Sequence, residues 1–203
     1  MKDLLAPDEG WIDISPRISL PKSKNQKWLF KLAAKASKWM GRESVPDIFI
    51  LLSINSSLFW PWLHFASKLM PYGKLSVRTS ELVILRVAWL CRCKYEWGQH
   101  IELGQKRAQL SDLDVLAVTK GTSYFQNEED ICIMLACDEL IKNNMIGQET
   151  WDLLEKQYQP TQLIELQMLI GHYAMLAGVL NSSGLKLEDN IESNLQKFYE
   201  RVK

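Results

Sequence analysis

Apolar residues recur at helical spacing along almost the whole chain, glycine and proline fall between the periodic runs, and no two alternating runs are joined by a hairpin turn. The pattern predicts an all-α protein, a single-domain bundle of roughly eight or nine helices. Residues 25 to 40 ("NQKWLFKLAAKASKWM") place Trp28, Leu32, Ala36 and Trp39 on one face and lysines elsewhere, and Gly41 ends the run. A short element at about 47 to 54 leads through "NSS" to a helix at about 56 to 70, stopped by Pro71 and Gly73. Ser76 is placed to N-cap the next helix, which is apolar on nearly every face from Leu82 to Leu90 and is therefore expected at the enclosed centre. Further helices are expected at about 94 to 109, 112 to 119 with Ser111 as cap and Gly121 after the end, 127 to 144, 148 to 158, 161 to 181 and 187 to 201. Residues 1–41 read as an arm carrying one amphipathic helix, and 42–203 as the helical domain.

Charge narrows the partners. The 203 residues hold 24 basic and 24 acidic side chains, and no stripe of Lys or Arg is present to neutralise phosphates, so nucleic acid is not an expected partner. The start "MKDLLAPDEG" has acids where a signal peptide carries its basic region, which points to the cytoplasm. The apolar run "IFILLSINSSLFWPWLHF" is broken by Asn55, serines and Pro61, so no membrane span is expected from it. Eight tryptophans and the aromatic faces of 25 to 40 and 56 to 70 exceed what one bundle covers easily, and a homo-oligomer (dimer, trimer or hexamer) is expected.

Chemistry concentrates in "ELVILRVAWLCRCKYEWGQH", residues 81 to 100. Glu81 lies among Leu82, Ile84 and Leu85, where a carboxyl needs a partner and tends towards a raised pKa suited to proton transfer. Arg78 and Arg86 flank it and are candidate partners for it or for a neighbouring subunit's carboxylates. If one helix ends near Leu90 to Arg92, Cys93 falls at or just before the first turn of the next, where free backbone N–H groups and the helix dipole favour a thiolate. Cys93, Glu96 and His100 stand at i, i+3 and i+7, which puts a nucleophile, a carboxylate and an imidazole on one helix face. Single residues of these types at helical spacing are also common as packed or solvated side chains. Cys132 and Cys137 read as small buried apolar residues, His64 as structural, and His172 in "LIGHYAML" as a core histidine with a hydrogen-bond partner or a pocket wall. The four cysteines are too few for a disulfide scaffold, and their spacing with three scattered histidines argues against a zinc or di-iron site. No phosphate loop, nucleotide fingerprint or Ser-His-Asp order is found.

The run "LSVRTSELVILRVAWLCRCKYEWGQH" resembles the signature of the carboxymuconolactone decarboxylase family, which includes the alkylhydroperoxidase D proteins, and the likeness extends to "WDLLEKQYQPTQLIELQMLIGHYAMLAGVLNSSGLKLE". The resemblance implies an all-helical, cofactor-free oligomer of the alkylhydroperoxidase D-like type. In the family's peroxidase branch a glutamate, a Cys-x-x-Cys pair and a histidine form a proton relay and a dithiol. By that resemblance Glu81 matches the relay glutamate, Cys93 the first cysteine and His100 the histidine, whereas Glu96 stands where the second cysteine is expected. Cys91 is then the available thiol partner. The decarboxylase branch carries a Glu-x-x-x-His pair like Glu96 and His100 without the cysteines. The leading expectation is a cytosolic thiol-dependent peroxidase or disulfide reductant in antioxidant defence, acting through Glu81, Cys93, His100 and Cys91 on a peroxide or disulfide. The alternatives are a decarboxylase of a small carboxylated lactone using Glu96 and His100, and a non-catalytic helical oligomer.

Overall fold

A computed structural model describes residues 5–21 and 45–203. The helix expected at 25 to 40 lies outside them. The described residues form nine α-helices and no strand: α1 Asp47–Ser53, α2 Ser56–Leu69, α3 Val77–Leu90, α4 Lys94–Arg107, α5 Asp112–Lys120, α6 Glu128–Asn143, α7 Gln148–Gln157, α8 Pro160–Ser183 and α9 Asp189–Val202, with a 3₁₀ turn at Gly121–Tyr124. The all-α expectation holds.

The centre is α3. Every residue from Thr79 to Ala88 is buried, because α4, α5, α6 and α8 cover it on all sides. Its start is fixed as the sequence indicates, with the Ser76 hydroxyl accepting the Thr79 N–H at 3.0 Å. Ser111 likewise caps α5, reciprocated by Asp114 in a capping box. Arg78 and Arg86 do not pair with Glu81. Arg78 bridges Asp114 (2.9 Å) and Asp130 (2.6 Å), and Arg86 pairs with Asp138 while donating to the Val118 carbonyl. A charge as deep as that of Arg86 is tolerated because its donors find oxygens. The arginines thus tie the central helix to α5 and α6.

α8 is apolar all round. One face (Leu163, Leu166, Leu169, Ile170, Ala177, Leu180) is buried, whereas Ile164, Met168, Met175 and Val179 are 40–59% exposed on the other. By length and composition this helix alone among the described ones is apolar enough to cross a membrane, and more than half of its most apolar window is buried inside the fold.

Residues 11–17 form a strap. Ile12 N–H donates to the Arg92 carbonyl and Arg17 N–H to the Ser183 carbonyl, while Trp11 packs edge-on to Trp89 at 5.5 Å and against Trp97. The strap crosses the end of α8 at Gly184, where φ is 69° and an added Cβ would lie 2.6 Å from the Ser15 carbonyl oxygen. Only glycine meets both demands.

Candidate active site

Glu81 projects from the second turn of α3 towards α4, and the two helices approach closely at Gly104, where a Cβ would stand 3.7 Å from that of Glu81. This brings His100 over the carboxylate, with Nδ1 2.8 Å from Glu81 Oε2. The other ring nitrogen, Nε2, lies 3.3 Å from Glu96 Oε2, one turn back on α4. Two carboxyl groups therefore share one imidazole in a chain Glu81–His100–Glu96, whose members are 0%, 5% and 3% exposed. Burial alone disfavours the imidazolium, but the charge and hydrogen bond of Glu81, and then those of Glu96, outweigh it and raise the His100 pKa to about 9. Oε1 of Glu81 and Oε1 of Glu96 receive no hydrogen bond from the described residues.

Glu96 and His100 open on a cavity of about 420 Å³ between α1, α2, α4 and α8, and its wall is mainly apolar. Trp62, Tyr173 and His172 contribute rings: the His172 imidazole stacks on Trp62 at 6.1 Å and meets Phe65 and Tyr173 edge-on. Burial pushes the His172 pKa down to about 4, against a small opposing effect of Glu96. His172 is thus a neutral pocket wall held by aromatic rings, the second of the two roles considered from its sequence context. Glu81 does not line the cavity and lies behind His100, which does.

Cys93 does not join Glu96 and His100 on the cavity wall. It is the N-cap of α4, with extended φ −96° and ψ 95°, just before the first turn of that helix as the sequence indicates. It is fully buried and absent from the cavity wall. Burial, reinforced by the charge of Glu96, pushes its thiol well above the ordinary cysteine range, although the N–H groups of Glu96 and Tyr95 work in the opposite sense. The acidified thiolate expected from the helix terminus is therefore reversed: desolvation exceeds the dipole. Cys91, the C-cap of α3, is half-buried, and burial raises its pKa too. All four cysteines are free thiols, with Cys132 and Cys137 fully buried. His64 faces outward.

Sequence reasoning missed the support behind the site. Glu188, which precedes α9, accepts from Tyr95 Oη at 2.8 Å, Gln99 Nε2 at 2.6 Å and the Asp47 backbone N–H at 2.7 Å. It thereby ties α1 and α4, two of the elements that wall the cavity, to the start of α9. Burial and then Glu188 raise the Asp47 pKa, and the same pair of causes puts Tyr95 well above its usual value. The only local signal is the spacing of Tyr95 and Gln99 along α4, which does not reveal a partner almost ninety positions away. Among the described residues no group of three or more His, Cys, Asp or Glu side chains has the arrangement to hold a metal ion.

Comparison with known proteins agrees with the sequence resemblance. Residues 57–124 match the carboxymuconolactone decarboxylase family. No curated protein sequence matches the chain. Among solved structures it is similar to the alkylhydroperoxidase AhpD core of an uncharacterized peroxidase-related protein from Ralstonia eutropha JMP134 (TM-score 0.75, 12% identity, 87% of this chain and 94% of that one). A peroxidase-related protein from Silicibacter sp. TM1040 is similar (TM-score 0.73, 12% identity, 87% and 93%). So is the debrominase Bmp8, solved as a variant in complex with 2,3,4-tribromopyrrole (TM-score 0.71, 11% identity, 92% and 99%). The fold is shared by all three.

Proposed function

We propose, from the carboxymuconolactone decarboxylase pattern that residues 57–124 carry, that the protein is an acid–base enzyme moving a proton on a small, mostly apolar ring compound held in the α1–α2–α4–α8 cavity. The observation that carries this reading is the pair Glu96 and His100 on the cavity wall, backed by Glu81, while Cys93 is sealed away from it. Glu96 Oε1 is the base: it takes a proton from substrate carbon, and the electron pair moves to an adjacent carbonyl as an enolate. His100 holds Glu96 in place and steadies its charge, and Glu81 fixes the imidazole from behind. Return of the proton at a second carbon completes an isomerisation. In a decarboxylation no C–H proton is taken: the bond to the carboxylate carbon breaks, its electron pair moves to the carbonyl as the enolate, and Glu96, carrying a proton from solvent, protonates the carbon that carbon dioxide leaves.

Deuterium incorporation from D₂O into small cyclic ketones and lactones, 4-carboxymuconolactone among them, tests the assignment. Glu96→Gln and His100→Asn are expected to lose about 10²-fold or more, typical of a general acid or base, and Cys93→Ser to retain activity within a few-fold. The reverse pattern ends the proposal.

A thiol peroxidase is the second reading, favoured by the closeness of Cys91 to Cys93 and by the backbone N–H groups that approach the Cys93 sulfur. In it Cys93 is oxidised by a peroxide and Cys91 or an external thiol resolves it to a disulfide. Peroxide consumption abolished by Cys93→Ser and untouched by Glu96→Gln supports it.

A further inference from the structure

Glu96 is nine-tenths buried or more, lines the cavity, and keeps one carboxylate oxygen, Oε1, without a hydrogen bond from the described residues. An acceptor in that position is costly unless something donates to it. A second polar atom is in the same condition: the indole Nε1 of Trp62, also in the wall, is buried and donates to no described residue. The rest of the lining is largely aliphatic or aromatic, with Phe49, Leu63, Met70 and Leu176 among it.

Charge then decides the class of ligand. The cationic groups in the described wall are Arg107, which is exposed, and His100, already shared between two carboxyl groups. His172 is walled in by rings. A carboxylate brought to the buried polar end of the cavity would meet the charge of Glu96, with the one cation there already committed, so its desolvation goes uncompensated. A hydroxyl meets neither penalty.

We propose that the cavity takes an uncharged, flat ring compound bearing a weakly acidic O–H, a phenol or an enol, which donates to Glu96 Oε1 and offers its oxygen side to the Trp62 indole N–H. This deepens the acid–base reading above and rests on it for the role of Glu96, and it sets enolic substrates ahead of carboxylated lactones. No bond is made or broken on binding. In turnover the O–H proton passes to Glu96, leaving an enolate whose carbon is protonated by the same carboxyl group, so the keto form is released and Glu96 returns to its starting state.

The test is binding of three probes to the full chain by isothermal titration calorimetry: 4-ethylphenol, its methyl ether and 4-ethylbenzoate. The phenol is expected to bind about tenfold or more tightly than either of the others, since the ether lacks the donor and the benzoate carries the charge. Glu96→Gln should erase most of the preference for phenol over ether. Trp62→Phe, which keeps the ring packing, should weaken the phenol several-fold and the ether, whose oxygen can still accept, by a comparable factor, so that the preference for phenol over ether survives. Benzoate binding as tight as phenol, or phenol and ether binding equally, overturns the proposal. Because binding is read without turnover, the phenol preference can hold while the deuterium-exchange test fails. That outcome keeps the ligand class and discards the catalytic role of Glu96.

Discussion

Glu81 is expected to set the charge of His100, and removing it should be readable as both a titration and a stability change. Free histidine titrates near 6.5, and in the folded chain His100 is raised to about 9 despite its burial, with Glu81 as the largest raising influence. Between these two pH values the folded state keeps a proton that the unfolded chain has released. The contribution of this group to stability is therefore fully present below about pH 6.5 and is lost as the pH rises through about 9. At about 1.4 kcal/mol for each pH unit, the contribution is about 3 kcal/mol, a sizeable part of the stability of a domain. Glu81→Gln keeps the side-chain shape and its hydrogen-bonding reach and removes the charge. Histidine-labelled NMR titration should then show the His100 midpoint falling from about 9 towards or below 6.5, with burial no longer opposed by Glu81. Urea unfolding at about pH 6 and about pH 10 should show that the wild type loses about 3 kcal/mol more than the variant over this interval. A wild-type His100 midpoint at or below 6.5 would refute the shared-imidazole description of the site.

Three other outcomes follow from the packing. In alkylation followed by mass spectrometry, Cys91, the half-buried thiol, should react first, and Cys93 should be as slow as Cys132 and Cys137; a fast Cys93 restores the thiol mechanism. Gly184→Ala should destabilise by about 1–3 kcal/mol, since a left-handed backbone and a 2.6 Å approach to the Ser15 carbonyl both resist the methyl group, and limited proteolysis should cut the strap faster. The exposed stripe Ile164, Met168, Met175 and Val179 on α8 is proposed as the self-association face, so Met168→Glu with Met175→Glu should lower the sedimentation coefficient to that of a monomer; a monomeric wild type at micromolar concentration removes the basis for this face.

Local rules make most of the helices legible in the sequence. The Ser76 and Ser111 caps, the burial of 82 to 88 and the glycine after α5 all follow from side chains within a turn of where they act. Glu81 and His100 are legible as a pair because a buried carboxyl in an apolar helix requires a partner, and the family resemblance names His100. The i, i+3, i+7 spacing does not tell which of its residues a cavity reaches: Cys93, just before α4, is sealed in the core, whereas Glu96 and His100 line the cavity. Trp62 and His172 reach the cavity from α2 and α8, and Glu188 braces α4 from the residue before α9, and nothing near them in the chain indicates these partners. Such assembly is a long-range property.

Glu96 links the acid–base and thiol readings, since one side chain disfavours the thiolate of Cys93 and is the proposed base on the cavity wall. Glu96→Cys is therefore expected to change both properties. It removes the negative charge that helps to hold the Cys93 thiol protonated, and it places a second sulfur three residues on, one helical turn away and within bridging reach if the two side chains rotate towards each other. The variant should lose the deuterium exchange that depends on a carboxylate, form a disulfide between Cys93 and the new cysteine on treatment with peroxide, and consume peroxide in the presence of a dithiol reductant. Mass spectrometry of the oxidised protein identifies the bridge directly. A variant that keeps the exchange activity shows that Glu96 is not the base. One that loses exchange but forms no bridge shows that burial of Cys93, the largest of its raising causes, is sufficient to keep the sulfur inert.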